Sequence, residues 1–270
     1  MTSYTPWGAA EARGWIAVPR EWDDKYSRGV LGVITGSPDY PGAAVLGVDA
    51  ALHTGVGMVR YLGPERPAAL VLARRPEAVT IDGRVQAWVL GSGMGDATDD
   101  TLVSARVWTS LESGHPMVLD AGGVGLSDDA AGPTVLTPHY GELATALGAD
   151  IAEIAAEPQY WADRAATSLD TTVVLKGHTT WIAGPGGALS VEAPTTWLAT
   201  AGTGDALAGI LGALLATHAK VIAEDESVMT QLAATGVVLH GLAAERAGAG
   251  GPFTVLDLNA ALPAVIAALV

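Results

Sequence analysis

"GVLGVITGSPDYPGAAVLGVDAALHTGVGMVRYLG", residues 29–63, decides the reading of the fold. It opens on a continuous apolar run (29–36), turns at two prolines, continues as a helix near 42–55, and returns to a second apolar run (57–63). Apolar runs without polar alternation fit strands covered by helices on both faces. Strand, helix and strand in succession make a parallel crossover unit.

The same alternation continues along the chain. A helix near 65–74 leads to "AWVLGSG" (87–93), and a helix near 98–113 leads to "MVLDAGG" (117–123) and "TVLTP" (134–138). Helices near 140–147 and 157–168 precede "TVVLKG" (172–177) and "TTWIAG" (179–184), and helices near 204–218, 226–247 and 257–269 end the chain. No linker or repeat of 20–50 residues interrupts this pattern. The sequence therefore predicts one three-layer α/β/α domain over 1–270 with a mostly parallel central sheet. Residues 1–27 form a lead-in whose Trp7, Trp15 and Trp22 pack it onto the domain.

Composition narrows the chemistry. Cysteine is absent, which excludes disulfides, thiolate zinc sites and a cysteine nucleophile. Lys and Arg total 14 against 29 Asp and Glu, and the net charge of −15 argues against nucleic acid or an anionic membrane as partner. No uninterrupted apolar run reaches the roughly 18 residues of a membrane span. The N-terminus lacks a basic start followed by a long apolar run, so a cytoplasmic location is expected. Such a chain grips an anionic ligand locally, with backbone amides and a few placed cations.

In a doubly wound sheet, ligands gather beyond the carboxyl ends of the strands. "TAGTGDALAGILGALLA" (200–216) sets Gly202, Thr203 and Gly204 before Asp205 at the start of an apolar helix. Asp205 there is either a helix cap or part of a phosphate-binding turn. "LTPHYGEL" (136–143) places His139 and Glu142 at another helix start; the pair is either a cap with a surface charge or a carboxylate that holds Mg²⁺ through water. Lys176, at the end of a strand and followed by Gly177, His178, Thr179 and Thr180, either snorkels to solvent or holds a nucleotide's phosphate or ribose. "GSGMGD" (91–96) is not a dinucleotide fingerprint, and no Walker A loop occurs. The six histidines lack metal-ligand spacing; His53 and His240, inside apolar helices, read as hydrogen-bonded core residues.

Taken in order, "TGSPDYPGAA", "GSGMG", "TPHYGE", "VVLKGHTTWIA", "ATAGTGDALAGILGALL" and "GVVLHGLAAE" resemble the bacterial ADP-dependent NAD(P)H-hydrate dehydratases of the ribokinase-like superfamily. The resemblance implies that hydrated NADH or NADPH (its S epimer) is dehydrated at the expense of ADP, yielding AMP and phosphate, with Mg²⁺. It implies that Ala43, Gly93, His139 and Asp205 contact the hydrate, with Asp205 taking the hydroxyl proton. Lys176 to Thr180 with Gly204 would hold the AMP part, and the amides of Gly202 to Gly204 would stabilise the transferring phosphoryl group. Two stretches depart from many relatives, "DAGGV" (120–124) and "PTTWLATAGTGD" (194–205). The same motifs leave open a small-molecule kinase of the superfamily, of the hydroxyethylthiazole or hydroxymethylpyrimidine type. A homotetramer is expected, as is a separate epimerase acting on the R hydrate, because the chain has no counterpart of the N-terminal epimerase domain of many relatives.

Overall fold

The computed structural model describes residues 2–95 and 100–270. Asp96, and the expected start of a helix at 98, lie outside the described residues. Among the described residues nine strands form one sheet: β1 (Thr5–Pro6), β2 (Val30–Ile34), β3 (Met58–Tyr61), β4 (Ala87–Leu90), β5 (Met117–Leu119), β6 (Thr134–Leu136), β7 (Thr172–Leu175), β8 (Thr179–Gly184) and β9 (Gly187–Glu192). Their order is β1-β9-β8-β7-β6-β5-β4-β2-β3. The strands from β3 to β7 are parallel, as the uniform apolar runs require; only β8 runs antiparallel to its neighbours β7 and β9.

Each central strand sends alternate residues into two separate cores. Leu31, Val33, Val59, Val89, Val118 and Val174 pack into one, and Val30, Ile34, Met58, Leu90, Leu119 and Val173 into the other. The first core is covered by α1 (Ala9–Ala12), α2 (Pro41–Thr54), α3 (Glu65–Arg74), α8 (Thr203–Thr217), α9 (Ala219–Glu224), α10 (Met229–Gly248) and α11 (Val255–Leu269). The second is covered by α4 (Thr101–Leu111), α5 (Tyr140–Leu147), α6 (Ile151–Ala156) and α7 (Pro158–Ser168). The expected three layers are thus present.

Two helices set the position of the chemistry. At the crossing of α2 and α8, a Cβ on Gly209 would stand 2.1 Å from the Gly47 carbonyl oxygen, so the two backbones touch where side chains would keep them apart. The fully buried Asp49 of α2 takes hydrogen bonds from Arg74, Arg75 and Asn259, tying α2 to α3 and α11.

The departures from the sequence reading include the short strand β1 in the lead-in, the exposure of Trp22 and the strand β9. Trp7 and Trp15 pack on the core, but Trp22 is 77 % exposed. β9 is unforeseen; it joins β8 through a tight hairpin with Gly187 at φ +113°. Glu226–Gly248 is long and apolar enough on average to cross a membrane, although it contains no uninterrupted apolar run of that length; 83 % of its most apolar window is buried inside the protein, as befits a core helix.

Candidate active site

The ends of β2, β4, β5, β6 and β7 converge on the start of α8. β5 delivers Asp120, which is 3 % exposed. Its carboxylate accepts hydrogen bonds from Ser92 Oγ (2.7 Å), Thr137 Oγ1 (2.7 Å) and Lys176 Nζ (2.9 Å). Three donors replace the water that so deeply placed a carboxylate gives up. Lys176 itself is fixed at its backbone, where its N–H donates to the Pro138 carbonyl (2.9 Å). With 22 % of its side chain exposed and a buried partner, it does not snorkel to solvent.

His139 and Glu142 form a reciprocal helix cap. Glu142 Oε2 accepts from the His139 backbone N–H (2.7 Å), and His139 Nδ1 accepts from the Glu142 N–H (3.1 Å). Glu142 Oε2 also lies 3.8 Å from Lys176 Nζ, so the cap stands against the lysine. Among the described residues, no group of three or more His, Asp or Glu side chains is arranged to hold a metal ion.

Helix α8 opens on Gly202, whose φ of +93° suits a residue without Cβ. Glycine has no side chain with which to cap, and Asp205, in the first turn, does not cap the helix either. No backbone acceptor is found among the described residues for the N–H groups of Gly204 and Asp205. A helix start with free amides is an anion site. A Cβ on Gly204 would lie 3.6 Å from Lys176 Nζ, so the cation sits directly against this turn. Burial first, and then the negative charge of Asp120, push the Asp205 carboxyl up to about 6, against the opposing pull of Lys176. An acid of that strength is half-ionised close to neutral pH, which suits a general base.

Beside this centre lies a cavity of about 680 Å³, walled chiefly by apolar atoms. Lys176, Gly177, His178, Thr180, Thr203 and Gly204 line it, as does His139 at its edge. Thr179, Gly202 and Asp205 do not. Ala43 and Gly93 lie together elsewhere: a Cβ on Gly93, at φ +67°, would stand 2.6 Å from the Ala43 Cβ. Of the residues assigned to the nucleotide, all but Thr179 and Gly202 thus line one hollow, and two of those assigned to the hydrate adjoin each other outside it.

Sequence reasoning missed Asp120, the wall residues Trp7, Gly8 and Ala9, and the place of His240 on the cavity. Asp120 was legible only as an aspartate ending the run "MVLD". Trp7, Gly8 and Ala9 of the lead-in form part of the cavity wall. His240 is buried as expected, 8 % exposed, and bonds the Thr203 backbone, but it also lines the cavity and its Nε2 has no partner. An apolar helix around a histidine reads the same whether the far side is core or hollow. His53 does bond as expected, its Nδ1 lying 2.9 Å from the Asp49 carbonyl oxygen.

The family model described as NAD(P)H-hydrate dehydratase matches residues 31–260. The chain is 45 % identical over 215 residues to the "Bifunctional NAD(P)H-hydrate repair enzyme Nnr" of Mycobacterium tuberculosis, covering 74 % of this chain and 43 % of that protein. It is 34 % identical over 235 residues to the "ADP-dependent (S)-NAD(P)H-hydrate dehydratase" of Neisseria meningitidis serogroup B, covering 80 % and 76 %. Its fold matches the crystal structure of the ADP/ATP-dependent NAD(P)H-hydrate dehydratase from Bacillus subtilis co-crystallised with ATP/Mg²⁺, with a TM-score of 0.87, 26 % identity and full coverage of both chains. The chain spans about half the length of the bifunctional relatives it matches. With the family model spanning most of its length and its strand-end motifs gathered around one site, the chain belongs to the NAD(P)H-hydrate dehydratase family.

Proposed function

We propose that this protein dehydrates the S epimer of hydrated NADH or NADPH, converting ADP to AMP and phosphate. The observation that carries this reading is Asp205: an acid held near neutral strength, beside free helix amides and a lysine, at the border of a nucleotide-sized hollow. The names of the relatives support the substrate and the nucleotide.

Asp205 takes the proton of the ring hydroxyl as that oxygen attacks the terminal phosphoryl group of ADP, and the bond from that phosphorus to the oxygen of AMP breaks. The N–H groups of Gly204 and Asp205, with Lys176, offset the charge on the phosphoryl oxygens. Hydroxide leaves poorly and phosphate leaves well. The lone pair of the adjacent ring nitrogen expels phosphate, and loss of a proton from the neighbouring carbon restores the double bond. Mg²⁺, when bound with the nucleotide, neutralises phosphate charge. Glu142, whose Oε1 lies 3.5 Å from His139 Nε2, would hold it through water, which suits an ion that keeps most of its hydration shell.

The test is to incubate the protein with the S hydrate and ADP or ATP, following the return of reduced-nicotinamide absorbance and separating the products. AMP and phosphate formed in step with the absorbance support the reading. A phosphorylated alcohol that accumulates without reduced nicotinamide would assign the chain to the small-molecule kinases instead.

A further inference from the structure

The cavity is lined by two unlike sets of residues: Lys176 with Thr203 and Gly204 at the start of α8, and the apolar Trp7, Val191 and the α10 residues Val237 and Val238. Among the described residues that line it, Trp7 supplies the one indole or phenyl ring. It belongs to the lead-in, outside residues 31–260 to which the family model applies.

Trp7 is held from two sides. Its backbone N–H donates to the Ser190 carbonyl of β9 (2.9 Å), continuing the pairing of β1, and its indole N–H donates to Thr235 Oγ1 (3.3 Å) on α10. Thr235 is fully buried, so the indole cannot swing away without stranding a hydroxyl. Gly8 and Ala9, which follow it along the wall, are too small to fill the space beside the ring. On the same helix, five residues further on, His240 meets Thr203 at the start of α8. Trp7, Thr203 and Gly204 line one cavity of about 680 Å³, so a ligand that fills it meets both the indole and the anion-binding turn.

Resting on the reading of the cavity as a nucleotide site, we propose that Trp7 is the base-binding residue of this protein: a flat aromatic base lies against its indole while the phosphates reach the start of α8. An aromatic ring in this position binds any planar base by area and stacking. The lead-in is then a working part of the nucleotide site.

Calorimetric titrations of ADP and of inorganic pyrophosphate, which has no base, test this on the parent, Trp7→Ala and Trp7→Phe. Trp7→Ala should bind ADP roughly 10-fold to 100-fold more weakly, the range of a lost base–aromatic contact, with pyrophosphate binding unchanged. Trp7→Phe should stay close to the parent in ADP affinity but lose part of the ADP-induced quenching of tryptophan fluorescence, and this difference decides the matter if the alanine variant does not fold. Parental ADP affinity in Trp7→Ala, an equal loss for both ligands, or unchanged quenching in Trp7→Phe would overturn the inference and leave the nucleotide reading standing. A parent that binds pyrophosphate but not ADP would overturn both.

Discussion

Lys176 Nζ bonds Asp120 Oδ1 at 2.9 Å, so the lysine of the site is committed to the buried carboxylate at the end of β5 and not to the acid at the start of α8. Asp205 therefore faces the negative charge of Asp120, and the opposing pull of Lys176 is outweighed by that charge and by burial.

The pH profile of the reaction should report that arrangement. With Asp205 acting as a base of pKa about 6, kcat/KM should rise with pH through about 6 and level off above it. Asp120→Asn removes the charge that pushes Asp205 up and frees Lys176 toward it, so the acidic limb should move to lower pH. An unmoved limb in that variant would show that Asp120 does not act on the base.

Asp205→Asn separates chemistry from folding. An amide cannot accept the hydroxyl proton, and turnover should fall by roughly 10² to 10⁴ while ADP binding persists. The stability effect has the opposite sign. Because the folded-state pKa lies above the ordinary carboxylate value of 3.8, the favourable contribution of protonation is complete below about 3.8 and lost as pH rises through about 6. At pH 7 the variant should therefore melt at or above the parent's temperature, measurable by calorimetry.

Gly209→Ala addresses the contact that places α8. Its Cβ would meet the Gly47 carbonyl oxygen at 2.1 Å, and a backbone atom cannot step aside alone. A loss of about 1–3 kcal/mol in urea unfolding is expected, the usual cost of forcing extra volume into a packed contact. Since the same displacement moves Asp205, kcat should drop more than the affinity for ADP.

His240 should make the fold acid-sensitive. Burial holds its imidazole down to about 4, below its ordinary value of 6.5, so between those values the folded state binds fewer protons than the unfolded chain. Stability should fall by up to about 3 kcal/mol as pH drops from 6.5 to 4 through this group, with His218, also held down by burial, acting in the same direction. Unfolding of His240→Gln and the parent at pH 5 and 7.5 measures it: the variant should lose less on acidification.

The sequence alone determined the layers and the strand ends. Uniform apolar runs such as 30–34 and 172–175 can be buried on both faces only in a covered parallel sheet, and the glycine-rich turn before Asp205 announces a helix start open to an anion. Local pattern carries that information, because a strand's two-sided burial and a helix's first turn are written in adjacent residues. The partner of each group was decided only by tertiary structure. "MVLDAGG" contains no sign that Asp120 would meet Ser92, Thr137 and Lys176, which come from three other connections. Trp7 and His240, 233 positions apart, reach one hollow because β1 adds beside β9 and α10 crosses behind it. Burial raised Asp205, and burial is a property of the assembled fold, where a charge's surroundings come from distant segments that no local window contains.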